Sequence, residues 1–566
     1  MKRLALAFPW IVLAGVAVAI VWDQLRPRET PPQTASIARD PICHMDVRPA
    51  ASFALEHDGV AYYFCTETCR ETFAAAPVAA PPRDTHTMRG IPAWMYQAAV
   101  AVVLVLSFGL FGLLPAGVTE ARRTLPIGRL LRWPPLRTIA SAVTAAIFLL
   151  IVAAGLFGNQ NPAMNIAPLL TWTIWWAGLI FVVLYAGKAW CTVCPWDAIA
   201  TWVGRGRGLN LRWPKFMRNI WPAILLFVLL TWIELGLGIT LIPRATAYVA
   251  LGMLALALVS GFIFDRKSFC RYGCLVGRVS GLYALFSSTE VRADTAACAS
   301  CKTLDCYRGN ARGDGCPTFE FPKTMKLSTY CTMCTECFKT CPHEAMQVRL
   351  RPWGTDLVQE GKPRTDEAVL AIVLLALTGF HGLTMTPAWG EWNAALGLPA
   401  GLSFGILMLA ILAAPALLFW LLAKLAAIWS RPHSTWTLFV RYAYALLPIA
   451  LFYHLAHNAE HFLMEGPKVL ALASDPFGWG WDLFGTAATT FPPMVTLGGL
   501  WGIQVFFVVL GHLYGLWISD RTTRRLVPDR RRAFLAQLPM LAAMVLFSTF
   551  SLWLLHQPME MRVSAM

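Results

Sequence analysis

The stretch Cys331-Thr-Met-Cys334-Thr-Glu-Cys337-Phe-Lys-Thr-Cys341-Pro342 sets four cysteines at intervals of two, two and three residues, with proline directly after the last. This is the spacing of a bacterial-type [4Fe–4S] loop. Three closely spaced thiolates grip one cube. The fourth, set apart and followed by a helix-breaking proline, reaches a neighbouring cube. Zinc is the competing reading, because thiolate clusters suit it too. A zinc ribbon, however, shows two separated C-x2-C knuckles rather than one run.

Outward from this run the chain is apolar. Of 566 residues, 57% are hydrophobic, 24 are Trp and only 14% are charged. That composition excludes an ordinary soluble protein and predicts many membrane spans. About eleven apolar runs approach or exceed the ~20 residues needed to cross a bilayer. They lie near 4–22, 92–114, 137–157, 169–187, 220–242, 246–264, 367–386, 401–424, 437–456, 495–518 and 534–556. The fold class is therefore mainly α, a polytopic helical membrane protein with soluble inserts.

The net charge of +15 sits in short loops between these runs, so nucleic acid is not an expected partner. Loops 115–136, 188–219 and 519–533 are basic. Loops 158–168 and 387–400 have no Lys or Arg, and 457–494 has only Lys468. The positive-inside rule then predicts N-in, C-out, with 265–366 cytoplasmic and the first soluble module outside. The predicted location is a bacterial cytoplasmic (inner) membrane. The division is 1–37, a membrane anchor or signal with a linker; 38–77, a small outer module; 78–91, a linker; 92–264, five spans; 265–366, a cytoplasmic segment; and 367–566, five spans.

A second group precedes the opening run: Cys298-x2-Cys301-x4-Cys306, then Cys316-Pro317. Two such loops read as a bacterial-type 2[4Fe–4S] ferredoxin domain at about 290–350. By the crossing rule, one cluster takes Cys298, Cys301, Cys306 and Cys341. The other takes Cys316, Cys331, Cys334 and Cys337. One cluster plus a structural zinc is the alternative. Two further pairs, Cys191-x2-Cys194-Pro195 and Cys270-x3-Cys274, lie just past the predicted cytoplasmic ends of spans. At one membrane height they could hold a third cluster or a redox disulfide, or be separate inert thiols.

Cysteine pairs after membrane spans, followed by a two-cluster domain, resemble the membrane polyferredoxins of the NosR and NapH type. Cys191-Thr-Val-Cys194-Pro195-Trp and Cys270-Arg-Tyr-Gly-Cys274-Leu275 carry the likeness, over roughly 90–350. The first pair has two intervening residues where three are usual, and Leu275 stands where the family has proline. The resemblance implies electron transfer in service of a respiratory enzyme.

In the outer module, Asp40-Pro-Ile-Cys43-His44-Met45 and Tyr62-Tyr-Phe64-Cys65-Thr-Glu-Thr-Cys69-Arg-Glu-Thr-Phe73 resemble a YHS domain, with His44 in place of the usual glycine. The resemblance implies metal binding, often beside heavy-metal transport. Cys65 and Cys69 are one helical turn apart, and Cys43 arrives from a separate turn. Three soft ligands suit copper or zinc, with His57, His44 or Met45 to complete the set. The ion could be functional, or a staple for a module of about 40 residues.

The ninth run ends His454-x2-His457-x3-His461, which fall within an arc of roughly 60° on one helix face. The predicted topology sets His381 and His556 at the same level. These five histidines are candidates for b-haem, a metal ion or a quinone, or they are interfacial residues bonded to neighbouring helices. His512 reads as structural.

The sequence thus predicts a membrane electron-transfer subunit rather than a stand-alone enzyme. Cytoplasmic clusters would draw on a cytoplasmic donor or the quinone pool. They would connect to a redox or metal site on the outer face, serving an extracytoplasmic metalloprotein or metal ion. The alternatives are copper handling, reduction or transport, and assembly of a respiratory metalloenzyme.

Overall fold

The computed structural model describes residues 2–25, 38–41, 46–47, 53–57, 60–64, 67–75, 93–109, 121–204, 208–359 and 361–557. Among these, nine helices are long and apolar enough to cross a membrane. They are Lys2–Asp23, Pro135–Phe157, Ile166–Gly204, Pro243–Ile263, Thr365–Thr384, Gly401–Ala427, Thr435–Ser474, Leu497–Leu526 and Arg530–His556. Two of the eleven predicted runs form shorter apolar helices, Trp94–Gly109 and Trp221–Gly236. The second is cut short by local chemistry. Gly238 takes a left-handed conformation (φ 62°), a 3-10 turn follows at Ile239–Leu241, and Pro243 opens the next helix.

The Thr435–Glu465 helix is the centre of the bundle. It is buried along most of its length from Leu438 to Leu463, as an apolar helix must be when other helices cover every face. It packs against the Thr365–Thr384 and Leu497–Leu526 helices. His512 is fully buried, with Ser107 Oγ 2.7 Å from Nε2 and Ser548 Oγ 3.0 Å from Nδ1. Both ring nitrogens are satisfied across three helices.

The cysteine-rich segment is tied to the rest by a three-stranded antiparallel sheet. Met346–Leu350 lies between Arg123–Leu125 and Thr289–Ala293, with Val348 opposite both Leu125 and Val291. The loop before the Pro134–Phe157 helix therefore shares an end of the bundle with the cysteines. A buried ionic knot braces this end. Arg351 Nη1 lies 3.2 Å from Glu290 and is also paired with Asp356, and Arg292 Nη2 lies 3.3 Å from Asp356. The opposite end gathers other loops. Asn159 N–H donates to Phe477 O (2.7 Å), and Thr496 Oγ1 donates to Asp23 (2.6 Å).

Candidate cysteine and histidine centres

Cys298, Cys301, Cys306 and Cys341 line one cavity, about 370 Å³ of empty space with its mouth included. Cys316, Cys331, Cys334 and Cys337 line a second, of about 400 Å³. The chain crosses between them, since Cys341 follows the second triplet but lies with the first. The two cavities are neighbours: Cys316 N–H donates to Cys306 O (3.1 Å).

The backbone here takes costly conformations. Seven non-glycine residues among those described have positive φ, and five of them (Leu304, Phe319, Met333, Thr335, Glu344) lie between the first and last of these loops. Each costs about 1–2 kcal/mol. The turns aim N–H groups at sulfur. Backbone hydrogen bonds from Leu304, Met333 and Glu336 favour the thiolates of Cys301, Cys331 and Cys334, and Ala345 N–H donates to Cys341 Sγ (3.4 Å). Burial works the other way. It pushes the Cys331 thiol up to about 12 and Cys306 up to about 11, and holds Cys337 well above the ordinary thiol value. A bound cation would favour their ionised form.

Cys191, Cys194, Cys270 and Cys274 converge from four short elements. Cys191 lies in the last turn of the 3-10 helix Gly187–Thr192, and Cys194 precedes the Pro195–Gly204 helix. Cys270 lies in Ser268–Tyr272, and Cys274 caps Leu275–Tyr283 by accepting from Gly277 N–H (3.3 Å). The four lie within electrostatic reach of one another. Burial raises Cys274 to about 11 and Cys270 well above its ordinary value. Thr192 Oγ1 donates to Thr332 O (2.9 Å), so this quartet abuts the loop of the second cavity. None of the twelve cysteines from Cys191 to Cys341 forms a disulfide.

Beside this quartet sit two buried cations. Lys188 is 1% exposed and Arg278 2% exposed. Among the described residues, Lys188 Nζ and Arg278 Nε and Nη1 find no hydrogen-bond partner. Gly281 makes the crowding feasible. A Cβ there would lie 2.4 Å from Thr329 O and 3.5 Å from both cationic groups. In the sequence Lys188 reads as a loop charge facing the cytoplasm. The structure turns it inward, and no pattern in the sequence signals this.

The histidines divide. His381, His457 and His461 come together, with one donor atom from each lying within 4.8 Å of the other two. Among the described residues these three form a group compact enough to share one ion. His454 does not join. Its Nδ1 lies 3.3 Å from Tyr283 Oη, and its ring lies 5.9 Å from Trp176. The shared helical arc ignored axial rise, which sets His454 about 10 Å from His461 along the helix. His556 packs on Tyr96 instead, at 5.2 Å. Ring contacts of 5.8–5.9 Å run Trp190–Trp175–Trp176–His454 from the cysteine quartet toward the trio.

In the outer module, the strands Phe53–His57 and Val60–Phe64 form a hairpin against the helix Glu67–Ala75. Phe64 and Phe73 are fully buried, and His57 meets Phe73 edge-on at 5.9 Å. Cys69 is on the helix, half-buried. Cys43 and Cys65 lie outside the described residues, as do His44 and Met45.

Residues 38–79 match the YHS domain family. The helices and this match define a multi-pass helical membrane protein that carries a YHS domain. The chain is 32% identical over 125 residues, 22% of its length, to an uncharacterized protein, MJ0749, of Methanocaldococcus jannaschii, and covers 44% of that relative. It is 56% identical over 43 residues, 7% of its length, to a copper-transporting P-type ATPase of Rhizobium leguminosarum bv. viciae, and covers 5% of it. The chain thus spans less than half of either relative. No solved structure matches.

Proposed function

We propose that this chain is a membrane-bound electron-transfer protein whose cysteines hold three [4Fe–4S] clusters and whose far end carries metal sites, in service of a respiratory or metal-dependent partner. The observation that carries the reading is the pair of adjacent cavities, each lined by four cysteines. Two neighbouring four-cysteine cavities, with Cys341 crossing from the second loop to the first, match the ligand pattern of a pair of cubes. At the third quartet the support comes from the buried cations. Lys188 Nζ has no hydrogen-bond partner among the described residues, and Arg278 reaches Cys270 O (3.4 Å) and the face of the Tyr330 ring, so burying both charges costs several kcal/mol unless an anion faces them. A cube with four thiolates is an anion.

Each cube supplies one-electron redox chemistry, with a potential set by its thiolates, hydrogen bonds and burial. The chain's own residues do the rest. The left-handed turns fix the sulfurs and aim N–H groups at them. The ionic knot of Arg351, Glu290 and Asp356 holds the loop in place, since Asp356 accepts from Ser328 N–H (2.7 Å) just before Cys331. The cysteine end also receives the basic loops, which supports a cytoplasmic location. The flanking helices of segment 26–92 meet the opposite end: Asp23 contacts Thr496, and Tyr96 contacts His556. That supports a YHS domain outside the cytoplasm of a bacterial inner membrane.

The likeness of the YHS segment to part of a copper-transporting ATPase favours one second reading, in which the electrons reduce copper, Cu(II) to Cu(I), at the outer face. EPR of dithionite-reduced membranes tests the first reading. It predicts [4Fe–4S] signals that appear only with the intact chain, and their absence overturns both readings.

A further inference from the structure

We propose that His381, His457 and His461 form a three-imidazole site for one divalent ion of the copper or zinc class. The site lies across two helices at the end of the bundle opposite the cysteines. Imidazole nitrogen is the ligand these borderline ions prefer. His457 and His461 are one turn apart on Thr435–Glu465 and so face the same way. His381 comes from Thr365–Thr384. The ring centroids lie 4.8 Å (381–457), 5.1 Å (457–461) and 6.4 Å (381–461) apart. Donor atoms within 4.8 Å of one another can share an ion with metal–nitrogen distances near 2.0 Å after small ring rotations.

The surroundings suit a cation rather than a stacked prosthetic group. Glu465 Oε2 lies 3.8 Å from His461 Nδ1, in the position of the carboxylate that orients a metal-bound imidazole through its other nitrogen. Thr173 Oγ1 lies 3.5 Å from the same carboxylate, on the π-helical turn Leu169–Trp175. Such turns often mark functional sites. Glu460 lies within electrostatic reach of His461 and Glu465. Glu465 therefore stands where it would offset part of a divalent charge that three neutral imidazoles leave uncompensated in a low-dielectric bundle.

A bis-histidine haem does not fit the trio. If two of the nitrogens were axial, about 4 Å apart across iron, the third would fall inside the plane of the macrocycle. Three ligands leave a fourth position open for water or an incoming ligand, as in catalytic rather than structural zinc sites. The YHS cysteines are soft ligands in a separate module, so this site is distinct from theirs.

The site does not depend on the cluster reading, and iron content reports that reading separately. The test uses full-length protein carrying Cys43→Ser, Cys65→Ser and Cys69→Ser, which removes the thiolates of the YHS domain. Chelator-treated protein is dialysed against micromolar Zn2+, and bound zinc is read by elemental analysis and zinc-edge X-ray absorption. One equivalent with a nitrogen and oxygen shell is expected. His457→Ala should lose it with iron unchanged. Glu465→Gln should weaken it about 10–100-fold, and this near-isosteric change guards against a His457 variant that fails to fold. Absence of zinc at micromolar concentration, a sulfur shell, or full retention in both variants overturns the proposal. So does a b-haem band lost on replacing His457.

Discussion

The loop bearing Cys331, Cys334 and Cys337 and the helix ends bearing Cys191, Cys194, Cys270 and Cys274 present the same thiols by different means. The loop holds its sulfurs through local backbone: left-handed turns at Met333 and Thr335 and N–H groups aimed at sulfur. The helix ends hold theirs through tertiary packing, beside the buried cations Lys188 and Arg278. Loops can encode a ligand set within a dozen residues. Helix ends need partners about 80 residues away in sequence, and their electrostatics come from side chains no motif specifies.

Four outcomes would break or sharpen this contrast. The largest effect is expected for Cys337→Ser, which should remove one cluster, about four iron atoms per chain, and leave the helix-end quartet loaded. Asp356→Ala comes next. It removes one of the two carboxylates that face Arg351 and Arg292, leaving Glu290, and should destabilise the cysteine segment by about 1–3 kcal/mol, read by thermal unfolding. If the helix-end quartet loses its iron equally, the two constellations are not independent.

The third outcome concerns pH. Burial raises the Cys331 thiol from 9.0 to about 12 in metal-free protein. The unfolded chain then deprotonates first, so stability present below the unfolded value is lost as pH climbs toward 12. Cluster-free protein should melt at a lower temperature at pH 10 than at pH 8, and loaded protein should show little of this difference. The smallest effect is expected for Lys188→Met. Removing a cation beside an anionic cluster should lower one midpoint potential, by roughly 60 mV per tenfold loss of stabilisation. If nothing anionic sits there, the same change should leave every potential in place and raise stability.

Much of the architecture was legible in the sequence because its signals are local. Long apolar runs announced the nine spans, and the Tyr62–Phe73 segment announced the YHS domain that the family match finds. Gly238 and Pro243, which shorten one span, were visible too, but their effect depends on the left-handed turn they form. What stayed hidden is tertiary. Lys188 reads as one loop charge among several until packing turns it inward. His454, His457 and His461 read as one face, but axial rise and the arrival of His381 from another helix decide which of them meet. Arg278 has no signature at all, since its meaning comes from the cysteines around it.

Iron, acid-labile sulfide and zinc content per purified chain test the central claim most directly. The account predicts about twelve iron and about twelve sulfide, four of each for every quartet. Eight of each would mean that the helix-end quartet holds no cube. Zinc on the cysteines in place of iron, with no sulfide released by acid, would contradict the account as a whole.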